Sequence, residues 1–271
     1  MTAAEKDGPR ERLVSVNGQC CRIWEKGVGA PVFWLASAPM ALRWGDFADA
    51  MAASCRLVVC SLPGFSGSRG HEELDDHLAW CLATRDLLAA AGFKPGGTLL
   101  ASSTAGALAA DVAAIWSDLV GTLVLIAPHG LYDAAEPPRD MFALHPRDAA
   151  RLLAADPTGY AAQIAPADAA QPVLWTINMI RGNEAAARFL WPLGDTRLSR
   201  RLDRITARTL VLWGAEDQII PPSYAERFVR QIGANATSQM IAGAGHLAEL
   251  DQPAAVAKAA GAFLATRLAE V

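Results

Sequence analysis

The sequence is short of charge. Only 19% of its 271 residues are Asp, Glu, Lys or Arg, and 24 basic against 28 acidic side chains leave a formal charge of −4. Without a basic excess the chain lacks the electrostatic footprint of a nucleic-acid binder, whose phosphate partner requires a positive face. A disulfide framework and a zinc site are also missing. The five cysteines (Cys20, Cys21, Cys55, Cys60, Cys81) are odd in number and scattered, with no C-x-x-C and no nearby His pair. They read as small buried hydrophobes. Met1 to Arg12 is charged where a secretory signal needs an apolar stretch, so a cytoplasmic location is expected. The most apolar runs, Thr98 to Trp116 and Leu119 to Pro128, are interrupted by Asp111 or too short for the roughly 20 residues that span a bilayer, and no membrane partner is expected. No G-x-G-x-x-G precedes the first helix and no P-loop occurs. No nucleotide cofactor is therefore implied, and the expected chemistry needs no metal.

Apolar material, in contrast, is plentiful. Hydrophobic residues make up 52% of the chain, enough for a large core and incompatible with disorder. The length suits one α/β domain with an insertion. Short β-branched runs alternate with helical stretches, the mark of a mostly parallel sheet covered on both faces. The expected strands are Leu13 to Val16, Cys20 to Glu25, Val32 to Leu35, Arg56 to Cys60, Thr98 to Ala101, Thr122 to Ile126, Leu210 to Trp213 and Ser238 to Ile241. The first two flank Asn17-Gly18, a hairpin dipeptide, so the sheet begins antiparallel. Helical spacing runs from Glu73 to Ala91 and from Ala254 to Leu268. From His129 to about Ile205 there is no convincing strand, only helix-like pieces such as Val173 to Phe189. Residues 129–205 are accordingly expected to form a helical insertion between two halves of a core, 1–128 and 206–271.

Three segments carry chemistry. In Thr98-Leu-Leu-Ala-Ser-Ser-Thr-Ala-Gly106 an apolar strand runs straight into a helix through a serine flanked by small residues. A strained strand-to-helix turn needs small side chains two before and two after the serine, and Ala101 and Ala105 meet that need around Ser103. Ser102 is the competing position. Leu210 to Pro221 is a buried strand ending in Gly214, then Glu216-Asp217, which puts a carboxylate at the carboxyl edge of the sheet, where ligands bind in such folds. Ile241 to Pro253 gives another strand, a glycine-bounded loop and His246. A serine hydroxyl is a weak nucleophile that needs an imidazole to take its proton and a carboxylate to fix the tautomer. Histidine suits the task because its ordinary pKa lies near neutrality. The other histidines, His71, His77, His129 and His145, lack a glycine-lined approach. Asp133 and Glu216 remain alternative acids.

Taken together, Ser61-Leu-Pro-Gly-Phe-Ser-Gly-Ser68, the serine turn, Trp-Gly-x-x-Asp-x-x-x-Pro at 213–221 and Gly-x-Gly-His at 243–246 resemble the α/β-hydrolase fold superfamily, from about Leu13 to Leu268. The resemblance implies an α/β-hydrolase fold: a mostly parallel eight-stranded sheet flanked by helices, with a helical cap inserted after the sixth strand. It implies Ser103 as nucleophile, His246 as general base and Asp217 as the orienting acid. It also implies an oxyanion hole from Thr104 N–H and from the loop after the third strand, at Ala38. There the family commonly has His-Gly and this chain has Ala36-Ser37; Ser61 likewise replaces an Asp often found before Leu-Pro-Gly. A serine at the nucleophile position argues against the dehalogenase and epoxide hydrolase branches.

The expected function is a cofactor-independent serine hydrolase cleaving an ester, thioester or lactone of a small to medium apolar substrate. A C–C bond hydrolase of vinylogous diketones on the same triad, and a non-catalytic binding protein on the same fold, are the alternatives. Phe142, Trp175, Met179 and Trp191 are candidate substrate-facing residues of the cap, with Met141 and Phe189 beside them. Arg197, Arg200, Arg201 and Arg204 alternate with Leu198, Leu202 and Ile205 as on a solvated amphipathic helix.

Overall fold

The computed structural model describes residues 8–166, 171–194 and 196–266. Eight strands form one sheet: β1 (Arg10–Val16), β2 (Gln19–Lys26), β3 (Pro31–Leu35), β4 (Arg56–Cys60), β5 (Gly97–Ser102), β6 (Val120–Ile126), β7 (Arg208–Gly214) and β8 (Ala236–Ile241). Their spatial order is β1-β2-β4-β3-β5-β6-β7-β8. Asn17 and Gly18 both take positive φ, and Val16 pairs with Gln19 across a two-residue turn. β1 and β2 are antiparallel, β2 meets β4 antiparallel, and every later pairing is parallel.

The central strands read as continuous apolar runs because both faces of the sheet are covered. Leu57, Val58, Leu99, Leu100, Leu123, Val124, Val211 and Leu212 are all fully buried. The covering helices fall into two packed groups: α1 (Asp46–Ala52) lies on α9 (Pro253–Ala265), and α2 (His77–Ala91) lies on α3 (Ser103–Ile115), while α7 (Tyr224–Ile232) packs on β7 and β8. Local chemistry sets the helix ends. The helical pattern from Glu73 begins as a helix only at His77, because Asp76 accepts the Ala79 N–H and caps it, with Glu73 left in a separate 3-10 turn. Gly92, at φ 102°, ends the helix. The last expected helix closes at Ala265, and Leu268 lies outside the described residues.

Between β6 and β7 come α4 (Pro146–Leu153), α5 (Pro157–Ile164) and α6 (Pro172–Leu190), with no strand among the described residues. Arg197 to Ile205 is not the expected amphipathic helix. It forms two 3-10 turns, Leu198–Arg200 and Leu202–Arg204, entered through Arg197 at a positive φ. Arg201 does not simply face solvent either: its guanidinium, partly exposed, pairs at 2.5 Å with Asp111, a fully buried carboxylate of α3, because a buried charge needs a partner.

This segment is tied to the core at several points. Gln163 donates to Pro39 O at 3.2 Å, Leu247 N–H to Leu153 O at 2.9 Å, and Asp251 accepts from Ala155 and Asp156 N–H. α6 approaches the loop after β3 closely enough that a Cβ on Gly182 would lie 3.2 Å from the Ala38 methyl.

The strand order reverses between β3 and β5, since the chain passes from β3 to β4 on one side and returns to β5 on the other. The crevice beyond their carboxyl ends is where open α/β sheets bind ligands.

Candidate active site

β5 delivers Ser103 into that crevice. Ser103 opens α3 at φ 51°, a left-handed conformation that costs a non-glycine residue on the order of 1–2 kcal/mol. Small neighbours make the turn possible: Ala101 and Ala105 are fully buried, and a Cβ on Gly106 would stand 2.8 Å from the Pro128 Cβ. The two adjacent serines are sent to different places. Ser103 Oγ lies 2.8 Å from His246 Nε2, whereas Ser102 Oγ accepts the Ser37 N–H at 3.3 Å.

His246 Nδ1 lies 2.9 Å from Asp217 Oδ2, and both side chains are fully shielded from solvent. The other oxygen of Asp217 accepts N–H groups from Ile219 at 2.8 Å and Ile220 at 3.0 Å, which locks the carboxylate in place. Glycines let the two loops meet, since a Cβ on Gly214 would sit 2.0 Å from Gly245 O. This accounts physically for the Trp-Gly and Gly-His pairs.

Of the alternative acids, Glu216 is exposed. Asp133 pairs with Arg227, and its carboxyl is held below the usual range first by the Ala135 N–H and then by that guanidinium. The remaining histidines are also accounted for. His71 meets Glu184 at 2.6 Å, His77 meets Asp111 at 2.6 Å, and His145 caps α4. His129 lies closer to the site than its sequence context suggests: its ring stands edge-on to His246 with centroids 5.2 Å apart. Burial, reinforced by His246, drives its pKa well down and keeps the imidazole neutral.

Thr104 sits in the first turn of α3, where an N–H has no intrahelical acceptor. Ala38 N–H has no backbone acceptor among the described residues. A cavity of about 650 Å³ opens beside Pro39, the residue after Ala38, and Leu153, whose carbonyl holds Leu247 next to His246. Its wall is mainly apolar and includes Phe142, Met179, Met141 and Ile164; Glu184 is the charged group in it. Trp175 and Trp191 do not line it. The Trp175 indole donates to Ile164 O, and Trp191 borders a separate open cleft near Asp140.

One buried group at this rim has no counterpart among the residues that sequence spacing picked out. Glu249, in the one-turn helix α8 (Ala248–Asp251), is 1% exposed, and burial pushes its carboxyl up to about 7. No local pattern in the sequence marks it, because its burial depends on elements distant in the chain.

A family model described as the Alpha/beta hydrolase family matches residues 25–259. The chain belongs to the alpha/beta hydrolase family. None of the curated proteins matches this family member. Many solved structures share its fold. A serine hydrolase involved in carbazole degradation is 21% identical, with 96% of this chain and 100% of that one covered at a TM-score of 0.74. A 2-hydroxy-6-oxo-6-phenylhexa-2,4-dienoate hydrolase from a Rhodococcus species is 16% identical, covering 94% and 98%, at 0.76. A naproxen esterase from Bacillus subtilis is 14% identical, covering 94% and 91%, at 0.74. At such identities the likeness is one of fold. No helix among the described residues of this hydrolase is long and apolar enough to cross a membrane.

Proposed function

We propose that the chain is a serine hydrolase that needs no cofactor and cleaves a carboxylic ester, thioester or lactone through an acyl-enzyme. The observation that carries this reading is the unbroken buried line Ser103 Oγ, His246, Asp217, with contacts of 2.8 and 2.9 Å. Ser103 Oγ attacks the acyl carbon while His246 Nε2 takes its proton. Asp217 fixes the tautomer with the proton on Nδ1 and stabilises the imidazolium. Thr104 and Ala38 N–H meet the oxyanion, each donor contributing about 3 kcal/mol by the usual magnitude for such groups. His246 then protonates the leaving alcohol or thiol, and a water, deprotonated by the same imidazole, releases the acid.

The apolar cavity beside Pro39 suits an uncharged acyl or alkyl group of medium size. A dienoate, the substrate class in one structural neighbour's name, carries a carboxylate, and the cavity wall holds no lysine or arginine among its described residues; its charged member, Glu184, is already paired with Arg188 and His71. A carboxylate would find no cation of its own to pair with in this mainly apolar wall, so an ester is favoured over a C–C bond substrate. The decisive experiment is labelling with a fluorophosphonate. Wild type should be modified at Ser103 and Ser103→Ala should not; a wild type inert across pH from about 6 to 9 would leave a non-catalytic binding protein as the better description.

A further inference from the structure

Between α2 and α3 lies a cluster of side chains that the proposed chemistry does not use. His77 and Cys81, one helical turn apart, share a face of α2, and Asp111 meets them from α3, which packs alongside. A ring nitrogen of His77, the Cys81 sulfur and a carboxylate oxygen of Asp111 all lie within 4.8 Å of one another. Linear spacing conceals the set, because the carboxylate arrives 34 residues after the histidine and on another helix.

Three observations separate this cluster from an ordinary ion pair. Asp111 divides its oxygens: Oδ1 takes the Arg201 guanidinium at 2.5 Å, and Oδ2 faces His77 Nε2 at 2.6 Å. An ion can therefore enter on the Oδ2 side while Arg201 keeps Oδ1, as an outer partner that orients a ligating carboxylate. The buried Cys81 sulfur makes no hydrogen bond among the described residues, although Cys21, Cys55 and Cys60 each reach a backbone carbonyl. The cluster is also open at one edge: the His77 side chain is 28% exposed, whereas that of Asp111 is fully buried. Imidazole, thiolate and carboxylate are together a donor set that suits zinc. Around a tetrahedral zinc with bonds of about 2.0–2.3 Å, neighbouring ligand atoms stand about 3.3–3.7 Å apart, so side-chain movements of about 1 Å close the site.

We propose that His77, Cys81 and Asp111 form a zinc site that clamps α2 to α3, with water in the fourth position through the opening beside His77. Burial holds the Cys81 thiol protonated in the metal-free protein, so its proton leaves to solvent as the Zn–S bond forms. The divalent charge then faces two anions, and the Arg201 pair is kept. Ser103 opens the same helix about 12 Å away along its axis, so the ion acts on the helix pair and the proposal stands independently of the acyl-enzyme reading.

The test strips the full chain of metal by dialysis against a chelator and titrates it with cobalt chloride, and with zinc chloride in competition with 4-(2-pyridylazo)resorcinol. Wild type should bind one equivalent of cobalt and show a thiolate-to-cobalt charge-transfer band in the near ultraviolet. Cys81→Ser should lose that band. Cys81→Ser and His77→Gln should each weaken zinc binding by more than about tenfold, while Cys20→Ser and His145→Gln, at exposed positions, bind as wild type does. Zinc at roughly a hundredfold above its Kd should raise the wild-type Tm by several degrees and that of Cys81→Ser far less. The wild-type cobalt spectrum requires no variant to fold: a wild type without the charge-transfer band overturns the proposal. So does zinc binding that survives both Cys81→Ser and His77→Gln, or that is lost with Cys20 or His145 instead.

Discussion

The loop after β7 and the one-turn helix α8 each present a buried carboxyl to the surroundings of His246, and the fold treats them in opposite ways. Asp217 is saturated, with two backbone N–H groups on one oxygen and the imidazole on the other. Glu249 has neither oxygen in an ordinary hydrogen bond. Desolvation without compensation moves the titration of a carboxyl toward neutrality. One loop surrounds its carboxyl with donors, and the other leaves its carboxyl buried without them.

The contrast can be broken at either end. The largest expected effect comes from the hydroxyl that His246 serves: Ser103→Ala should lower kcat by up to about 10⁶-fold, read in ester hydrolysis, with the fold intact by circular dichroism. Asp217→Asn should cost about 10⁴-fold, because the amide cannot hold the imidazole in the required tautomer. A near-normal rate would mean that another acid serves His246.

Glu249→Gln should act on stability in a pH-dependent manner. The folded pKa of Glu249 lies above its ordinary value, so its stabilising contribution as the neutral acid is full below about 4.5 and is lost as pH rises through about 7. A rise of that size corresponds to roughly 3 kcal/mol. Between about pH 5 and 8 the Tm of wild type should therefore fall several degrees relative to that of Glu249→Gln; parallel curves would show that the carboxyl does not titrate in that range. The smallest effect belongs to the cavity, where Met179→Trp should raise KM for long acyl esters about tenfold and leave an acetyl ester little changed.

The saturated carboxyl was also the legible one. A strand ending in glycine, an acid three residues on and a proline after it is a local pattern, and the Asp217 hydrogen bonds to Ile219 and Ile220 are local too. The strands and the hairpin at Asn17-Gly18 were readable for the same reason: period and turn chemistry are short-range properties. Glu249 was not legible, because its character depends on burial by elements distant in sequence. The segment between β6 and β7 hid its details likewise. The alternation of Arg197 to Ile205 looked like a solvated helix, yet Arg201 turns inward because Asp111, on a helix far back in the chain, requires a cation. Phe142 and Met179 border the cavity while Trp175 and Trp191 do not, a division that composition and spacing cannot make.

Asp251 holds more than one element. Its carboxylate grips the N–H of Gly245, just ahead of the imidazole, at 2.7 Å, and the N–H groups of Ala155 and Asp156, at the junction of α4 and α5, at 2.8 and 3.0 Å. A lift of those two helices as a body would have to break this three-way clasp or drag the imidazole off the serine.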